Sequence, residues 1–531
     1  MKNNIIKIMA LSAFAAVMVS CTDDFIDKNT NKEQATDEMM DRDGLRTGGA
    51  FAQMVANVLP SYQLGESEYG SDRYQIIQDL AGNIFSGYTG ATNNGFQANN
   101  LYNITYSTWY EAMFNDVFVR VIGSWTDLND LREDFPETVA LADILKVAAL
   151  QRVTDTYGPI PYSKLASGSL EVAYDSQENV YKAMFKELGD AIDLLTVFYQ
   201  GNGSATLLAD YDNVFYGNVQ KWIQFANTLR LRMALRVVYA DEALFQEQAA
   251  AAIANAVGFL ESDASLHPGT GAWQYPLYTI QYDFNEGDSY IGATIESIMN
   301  GYEDPRRAAY FTTASDGAYH GVRGGITDGS NYKNKASRVA CSKDTPLMWM
   351  AAAESYFLRA EYYLRIGDED SAKALYESGI AASFSAAGAS GADAYIANSD
   401  RTPAAYTDFV SSHSYNGHSD CPIAWDAAYD FEGHLEQIIT QKYIACFPEG
   451  QEAWTEFRRT GYPSVIPFER NNSGGTINTT LQIRRLPYPS GEYRTNNTNV
   501  NQAVTTLTGE ASNQGADNAG TRLWWDKNPR F

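Results

Sequence analysis

The stretch PLMWMAAAESYFLRAEYYLRIGDEDSAKALYESGIAA, residues 346–382, decides the fold. Its first half predicts an amphipathic helix, because apolar residues recur there at near-helical spacing. These residues are Met350, Phe357, Leu358 and Leu364. Gly367 ends this helix, since glycine adopts the left-handed C-terminal cap without a side-chain clash. We expect a second helix to begin near Ser371, so the stretch predicts a helical hairpin.

The hairpin also matches the aromatic and small-residue pattern of a tetratricopeptide repeat. The matching positions are Tyr356, Ala360, Tyr363, Ala372 and Tyr376. Arg359 stands where leucine is usual. Such a hairpin cannot bury its apolar face alone, so other hairpins must stack on it. The sequence therefore predicts an all-α fold of tetratricopeptide-like hairpins, joined by long irregular loops and with few, short strands.

Composition favours a large folded protein and excludes one class of partner. Of the 531 residues, 45% are hydrophobic and 20% are charged, which is enough for a sizeable core. The formal net charge of -26 opposes binding to nucleic acid. The chain also contains 35 Tyr, 24 Phe and 9 Trp, and rings beyond those needed for the core can serve as stacking platforms.

The N-terminus predicts a lipoprotein signal peptide over residues 1–20. Its apolar run, residues 8–19, is shorter than the roughly 20 residues that a membrane-spanning helix needs. The run ends in MVSC, which resembles a bacterial lipobox and predicts acylation of Cys21. Each buried methylene of an acyl chain contributes about 0.8 kcal/mol, so several chains anchor a protein stably. Residues 21–43 are then a lipidated, polar tether, and residues 44–531 a single helical domain.

The remaining cysteines and the histidines do not predict a metal site. Three cysteines are left after Cys21 and allow at most one disulfide. The metal-like set is His413, His418, Cys421, His434 and Cys446. Its spacing matches none of the short zinc patterns.

Catalytic motifs are absent as well. The sequence has no G-x-S-x-G, H-E-x-x-H, Walker G-K-[ST] or G-x-G-x-x-G pattern. Paired carboxylates are too plentiful for the sequence alone to exclude glycosidase chemistry. We nevertheless predict a protein that is not an enzyme, with no catalytic residue and no cofactor.

One basic segment, KWIQFANTLRLRMALRV at 221–237, predicts structural ion pairs. Its cations are Lys221, Arg230, Arg232 and Arg236. In an acidic protein we expect them to pair with carboxylates on neighbouring helices and not with a ligand. Arg458 and Arg459 are expected to tie a helix end to carboxylates or to stack on rings.

Several segments in one order resemble the SusD/RagB family of nutrient-binding outer-membrane lipoproteins. Besides the hairpin, the basic segment and the lipobox, they are TYGPIPYS (156–163), YEDPRRAAY (302–310), QKYIACFPEGQEAWTEFRRTGYP (441–463) and RLPYPSGEY (485–493). The resemblance implies a SusD-like helical core with four tetratricopeptide-like units and an elaborated loop face. It also implies a SusC-like TonB-dependent transporter as partner and a lipid-anchored position on the cell surface.

A ligand site is expected on loops, where planar rings can face outward. Two loops qualify, and their predicted ligand-binding residues are Tyr88, Phe96 and Tyr102 in one, and Trp273, Tyr275, Tyr278 and Tyr282 in the other. A ring stacked on a sugar face or a peptide side chain contributes about 1 kcal/mol. The predicted function is capture of an oligosaccharide for the transporter. A peptide ligand and a repeat scaffold for protein interactions remain the alternatives.

Overall fold

Helices make up most of the computed structural model, which describes residues 44–60, 69–104, 107–169, 171–269, 273–513 and 515–531. Residues Ala50–Phe531 form one compact unit. Of the N-terminal unit, Met1–Gly49, the structure describes only residues 44–49, at the start of the first helix. The predicted signal peptide, Cys21 and the tether lie outside the described residues. Within the described ranges, no helix is both long enough and apolar enough to cross a membrane.

The main helices, in chain order, are α1 (Leu45–Val58), α2 (Tyr69–Tyr74, π-helical Gln75–Asn83 and Ile84–Ser86), α3 (Ala112–Asp116, π-helical Val117–Ile122 and Gly123–Asn129), α4 (Pro136–Tyr157), α5 (Gln177–Asn202), α6 (Val219–Arg236), α7 (Glu242–Ile253), α8 (Ala293–Gly301), α9 (Ala352–Arg365), α10 (Glu369–Ala386), α11 (Phe431–Ala445), α12 (Gly450–Thr460) and α13 (Asn497–Glu510). Short helical turns are Asn94–Phe96, Gln97–Asn100, Ser107–Tyr110, Leu165–Ser167, Pro276–Tyr278, π-helical Thr279–Asp283, Arg307–Tyr310, Gly329–Tyr332, Ala392–Ile396 and Ser490–Thr495.

The strands are β1 (Thr89–Ala91), β2 (Ile160–Pro161), β3 (Tyr174–Asp175), β4 (Ala264–Leu266), β5 (Ser289–Ile291) and β6 (Leu347–Met350). They form three antiparallel pairs, β1 with β5, β2 with β3 and β4 with β6. None has more than four residues. The prediction of an all-α fold with few, short strands is confirmed.

The helices pack as successive pairs. α4 lies against α5, α6 against α7 and α9 against α10. The pairs stack in turn, since α5 also contacts α6 and α6 also contacts α9. α11 packs on α9 and α10, whereas α12 packs mainly on the π-helical part of α2. The stacked hairpins therefore supply a helical frame, and long segments between α7 and α9 and between α10 and α11 are left for loops.

The hairpin α9–α10 is close to the predicted one. Gly367 has φ 81° after the end of α9, as a left-handed cap requires. Asp368 caps α10 by accepting a hydrogen bond from the Ser371 backbone N–H at 3.1 Å, so α10 begins two residues before the predicted start. Met350 was predicted to lie in the first helix, and that prediction is wrong. Met350 ends strand β6 and pairs with Ala264 of β4.

Arg232 and Arg236 of the basic segment, Lys442 of α11 and Arg459 of α12 belong to a buried ion-pair network, which we call the charged frame. Its members are Asp155, Arg232, Arg236, Glu354, Glu361, Lys442, Glu452, Glu456 and Arg459. Each of these side chains is at most 6% exposed. The frame joins α4, α6, α9, α11 and α12, so it ties helices that are distant in sequence.

Within the charged frame the pairs are short. Arg232 lies 2.5 Å from Glu354, and Arg236 lies 2.6 Å from Glu452. Burial alone would disfavour a charge on Glu452, but Arg236 and Lys442 outweigh it and lower the pKa of Glu452 to about 2. The prediction of interhelical ion pairs is therefore confirmed for Arg232 and Arg236. Arg230 differs, because its half-buried guanidinium donates to the neutral side chain of Gln248 at 2.7 Å.

Candidate functional site

The two aromatic loops singled out in the sequence are neighbours in space. β1 follows α2 in the first loop, and β5 ends the second; Thr89 pairs with Ile291, and Ala91 with Ser289. Beside this pairing, the Asp288 carboxylate accepts hydrogen bonds from Asn93 in the first loop at 2.8 Å and from Gln75 of α2 at 3.0 Å. The short sheet thus joins the two loops. We call the surface formed by the segments between α2 and α3, between α7 and α9 and between α10 and α11 the loop face.

Three of the seven predicted ligand-binding residues do not face outward. Tyr88, Tyr102 and Tyr275 are at most 3% exposed. The ring of Tyr88 packs against Tyr443 at a centroid distance of 4.5 Å, and that of Tyr102 stacks on Phe468 at 4.4 Å. These rings fasten their loops onto the core. The prediction that they present a face to a ligand is therefore wrong, because no ring face remains accessible.

Tyr278 and Tyr282 form the best-defined platform, which we call the tyrosine pair. Both side chains are half-buried, and their rings stack with centroids 4.8 Å apart and planes inclined by 17°. Their spacing of four residues places them on one face of the turn formed by Pro276–Tyr278 and Thr279–Asp283. Both rings are therefore ordered before a ligand arrives, and each remains partly exposed.

Two cations flank the tyrosine pair. The Arg338 guanidinium lies 4.9 Å from the ring centroid of Tyr282, and the Lys343 ammonium lies 5.4 Å from that of Tyr278. Lys343 is also 3.8 Å from the Asp283 carboxylate. Rings beside charged donors and acceptors can bind the apolar face of a ligand and its hydroxyl or amide groups together. The sequence does not mark these two cations as neighbours of the rings, because they come from a segment more than fifty residues further along the chain.

Local hydrogen bonds hold this loop in place. The Tyr282 hydroxyl donates to the Val339 carbonyl at 2.7 Å, and Gln274 donates to Asp283 at 2.7 Å and to Thr279 at 2.6 Å. Burial raises the pKa of Tyr282 to about 12, so its phenol is neutral and remains a hydrogen-bond donor at physiological pH. The platform is therefore fixed by its own loop and by the segment that supplies Arg338.

The other two predicted residues, Phe96 and Trp273, are half-buried and pack against the core. Phe96 contacts Trp109 edge to face, with ring centroids 5.4 Å apart. The sequence did not single out Trp109, because it lies at the end of the turn Ser107–Tyr110 that follows the predicted loop. A ligand role for Phe96, Trp273 and the tyrosine pair stays a prediction.

The residues weighed as metal ligands have separate environments. His413 lies between Asp328 and Glu469, at 2.8 and 2.6 Å, whereas His434 stacks on Trp425 with centroids 4.0 Å apart. Across the described ranges, no group of three or more His, Cys, Asp and Glu side chains could hold a metal ion. Among the described residues, Cys341, Cys421 and Cys446 are free thiols.

Stacked helical pairs thus carry the loops on which the tyrosine pair lies. The family model described as "SusD-like: Susd and RagB outer membrane lipoprotein" matches residues 27–526. The chain therefore belongs to the SusD/RagB family of outer-membrane lipoproteins.

Solved structures of similar proteins agree with this assignment. A chitin-binding SusD homolog from Flavobacterium johnsoniae is 38% identical, with a TM-score of 0.83 over 91% of this chain and 99% of that chain. A SusD homolog from Bacteroides uniformis is 36% identical, with a TM-score of 0.83 over the same shares. One from Bacteroides vulgatus is 34% identical, with a TM-score of 0.84 over 92% of this chain and 99% of that chain. A comparison with curated proteins found no match.

Proposed function

We propose that this protein is a cell-surface lipoprotein that captures an oligosaccharide and delivers it to a SusC-like TonB-dependent transporter in the outer membrane. The observation that carries the proposal is the tyrosine pair, two stacked and half-exposed rings between Arg338 and Lys343. Sugar rings have one apolar C–H face and a rim of hydroxyl groups. Aromatic rings flanked by charged hydrogen-bonding groups complement both features.

Relatives support a glycan as the ligand class. The Flavobacterium johnsoniae homolog is described as chitin-binding, and it is similar to this chain along nearly the whole length of both proteins. Family membership supports a place in the outer membrane. In the same proposal the protein binds the glycan but does not react with it. The charged side chains beside the rings orient the ligand and do not cleave it.

The anchor in this proposal is Cys21, acylated after removal of residues 1–20. Residues 21–43 then act as a polar tether that lets the binding unit sit over the transporter on the outer face of the membrane. Replacement of Cys21 by alanine should release the protein from the membrane fraction while leaving ligand binding unchanged. Membrane attachment of the Cys21→Ala protein would contradict the assigned anchor.

A binding screen tests the ligand class. Two forms of the protein without the lipid anchor should be used, one beginning at residue 22 and one at residue 44. Each is titrated calorimetrically with tetrasaccharides derived from chitin, starch, cellulose, xylan and mannan, and with pools of tetrapeptides. We expect one glycan series to bind and the peptide pools not to bind. Binding of peptides alone would favour the peptide-importer alternative and overturn the glycan proposal.

The screen needs a variant of the site and a matched control. Tyr278→Ala combined with Tyr282→Ala removes both rings of the platform and should weaken binding of the selected glycan at least tenfold. Tyr216→Ala is the control, because Tyr216 is a 55% exposed tyrosine on a different loop. Equal affinity of the double variant and the control would place the ligand elsewhere on the molecule.

A further inference from the structure

A pocket of about 250 Å³ lies on the loop face, apart from the tyrosine pair. Its walls include Ser315, Asp316, His320, Lys335, Phe409 and Val410. These residues come from three segments that were not singled out in the sequence. Pockets for drug-sized ligands usually measure about 300–1,000 Å³, so this one has room for a single ring-sized group.

The aromatic wall of the pocket is ordered in advance. Phe409 stacks on His320 with ring centroids 4.2 Å apart and planes inclined by 12°, and the edge of Tyr332 packs against it at 5.5 Å. The neighbouring Asp408 fixes the backbone, because its carboxylate accepts hydrogen bonds from the Val410 N–H at 3.0 Å and the Tyr332 hydroxyl at 2.7 Å. A ring held on two sides loses little conformational entropy when a ligand packs against it.

Besides Ala314 and Val410, the remaining wall residues are polar, and two of them, Asp316 and Lys335, carry opposite charges. Asp316 accepts a hydrogen bond from His320 at 2.7 Å, and this bond lowers the pKa of Asp316. The other carboxylate oxygen, Oδ1, already accepts a hydrogen bond from the Ala318 N–H at 3.0 Å and keeps a second lone pair. The Ser315 hydroxyl and the Lys335 ammonium also line the pocket and supply further hydrogen-bonding groups. One apolar ring wall with acceptors and donors at its rim suits a neutral polyhydroxylated ring better than an apolar or a singly charged ligand.

We propose that this pocket, the Phe409 pocket, binds one sugar ring of the same glycan that the tyrosine pair contacts, so that the ligand spans two subsites. This inference rests on the proposed function. The apolar face of the sugar packs against Phe409, and its hydroxyl groups bond to Asp316 and Lys335. A ligand longer than a disaccharide is then preferred, because only a longer chain reaches both subsites.

One backbone segment connects the two subsites. His320 and Ser337 are paired, with the Ser337 N–H donating to the His320 carbonyl at 2.8 Å and the His320 N–H donating to the Ser337 hydroxyl at 3.0 Å. Lys335 lines the pocket, and Arg338 lies over Tyr282. Three residues span at most about 11 Å, so the backbone positions that supply these two cations are near neighbours.

Titration of chain length against variants tests the inference. The tetrasaccharide that binds the wild type most tightly in the screen, and its disaccharide, should be titrated against Lys335→Gln combined with Asp316→Asn, and separately against Phe409→Ala. We expect tetrasaccharide affinity to fall five- to tenfold in both proteins and disaccharide affinity to change less than twofold. The Lys335→Gln, Asp316→Asn protein changes only exposed side chains, so the test stays valid if the Phe409→Ala protein is poorly folded. Lys186→Gln is the control, since Lys186 is a 75% exposed lysine on α5.

The outcomes separate this inference from the function on which it rests. Suppose that the Lys335→Gln, Asp316→Asn protein binds the tetrasaccharide within twofold of the wild type, and that the Tyr278→Ala, Tyr282→Ala protein loses binding. This result overturns the second subsite and leaves the proposal of glycan capture standing. Failure of every glycan in the screen to bind the wild type overturns both proposals. An equal loss for disaccharide and tetrasaccharide contradicts a subsite that only longer chains reach.

Discussion

Helix α12 and the loop face both place an arginine beside an aromatic ring, but in opposite surroundings. In α12, the guanidinium of Arg458 lies 3.6 Å from the ring centroid of Trp454, and both side chains are fully buried. On the loop face, Arg338 lies over Tyr282, and both residues are half-buried. The first contact can only stabilise the fold, whereas the second leaves part of each group for a ligand. Burial, and not residue type, therefore distinguishes these two contacts.

The largest expected effect is on the charged frame. Arg459→Met leaves the carboxylates of Glu361 and Glu456, now 2.6 Å from its guanidinium, buried with a missing partner. Breaking a buried ion pair from one side costs about 3–5 kcal/mol, and we expect that loss in the free energy of unfolding, measured by urea denaturation followed by circular dichroism. Lys186→Met, which removes an exposed pair with Asp190, should leave the free energy of unfolding nearly unchanged. A loss below about 1 kcal/mol for Arg459→Met would mean that the frame does not hold the helices together.

The second test compares two tyrosines of one loop. Tyr275 is 3% exposed and its backbone N–H donates to the Lys343 carbonyl at 2.9 Å, whereas Tyr278 is half-buried. Tyr275→Ala should lower the free energy of unfolding by about 3 kcal/mol or more, because it leaves a cavity in the core. Tyr278→Ala should cost about 1 kcal/mol of stability but weaken glycan binding more than fivefold. Equal effects of the two substitutions on both readouts would remove the distinction between anchoring and ligand-facing rings.

A pH titration tests the buried junction between α2 and the loops. Burial, with a smaller contribution from the Asp288 charge, raises the pKa of Asp79 from 3.8 to about 6. The folded protein therefore binds this proton more tightly than the unfolded chain, and the associated stability is present below pH 4 and is lost as pH rises to about 6. The side chain of the Asp79→Asn protein is neutral at every pH, so this loss of stability with rising pH does not occur in it.

The expected signature is a difference between two proteins. Asp79→Asn should match the wild type in free energy of unfolding near pH 4 and exceed it above pH 6 by up to roughly 3 kcal/mol. Comparison with the wild type at each pH cancels the contributions of all other carboxylates. A difference that is constant from pH 4 to pH 7 would show that Asp79 does not titrate in this range.

The smallest effect concerns the cation beside the tyrosine pair. Lys343 is exposed at the edge of the platform, so Lys343→Gln should leave the melting temperature unchanged. Loss of one exposed cation beside a ring corresponds to about 0.5–1 kcal/mol, and we expect two- to fivefold weaker glycan binding in the same titration. Tighter binding of the selected glycan by this variant would contradict a contact between Lys343 and the ligand.

The sequence predicts the frame better than the loop face, for physical reasons. The spacing of Phe357, Leu358 and Leu364 and the cap at Gly367 are local properties, and helices depend on local properties. The ion pairs of Arg232 and Arg236 followed from charge in an apolar segment. The family resemblance, carried by ordered segments such as 441–463, was likewise readable without coordinates and is confirmed.

The exposure of aromatic rings in loops is harder to predict, because composition does not tell which side of a loop faces the core. Tyr275 and Tyr278 stand three residues apart among the same kinds of neighbours, yet one ring is buried and the other is half-exposed. The stacking of Phe409 on His320 and the position of Arg338 over Tyr282 depend on contacts between distant segments. No period or motif in the sequence marks such contacts.

In the proposed function, the loop face binds the glycan and the helical frame only presents that face. The decisive measurement is a crystal structure of the protein with the tightest-binding tetrasaccharide. We expect a sugar ring packed on Tyr278 or Tyr282 within van der Waals distance, about 4 Å, with the next rings directed toward Phe409. A tetrasaccharide bound along α4 to α7, with the tyrosine pair still open to solvent, would contradict it.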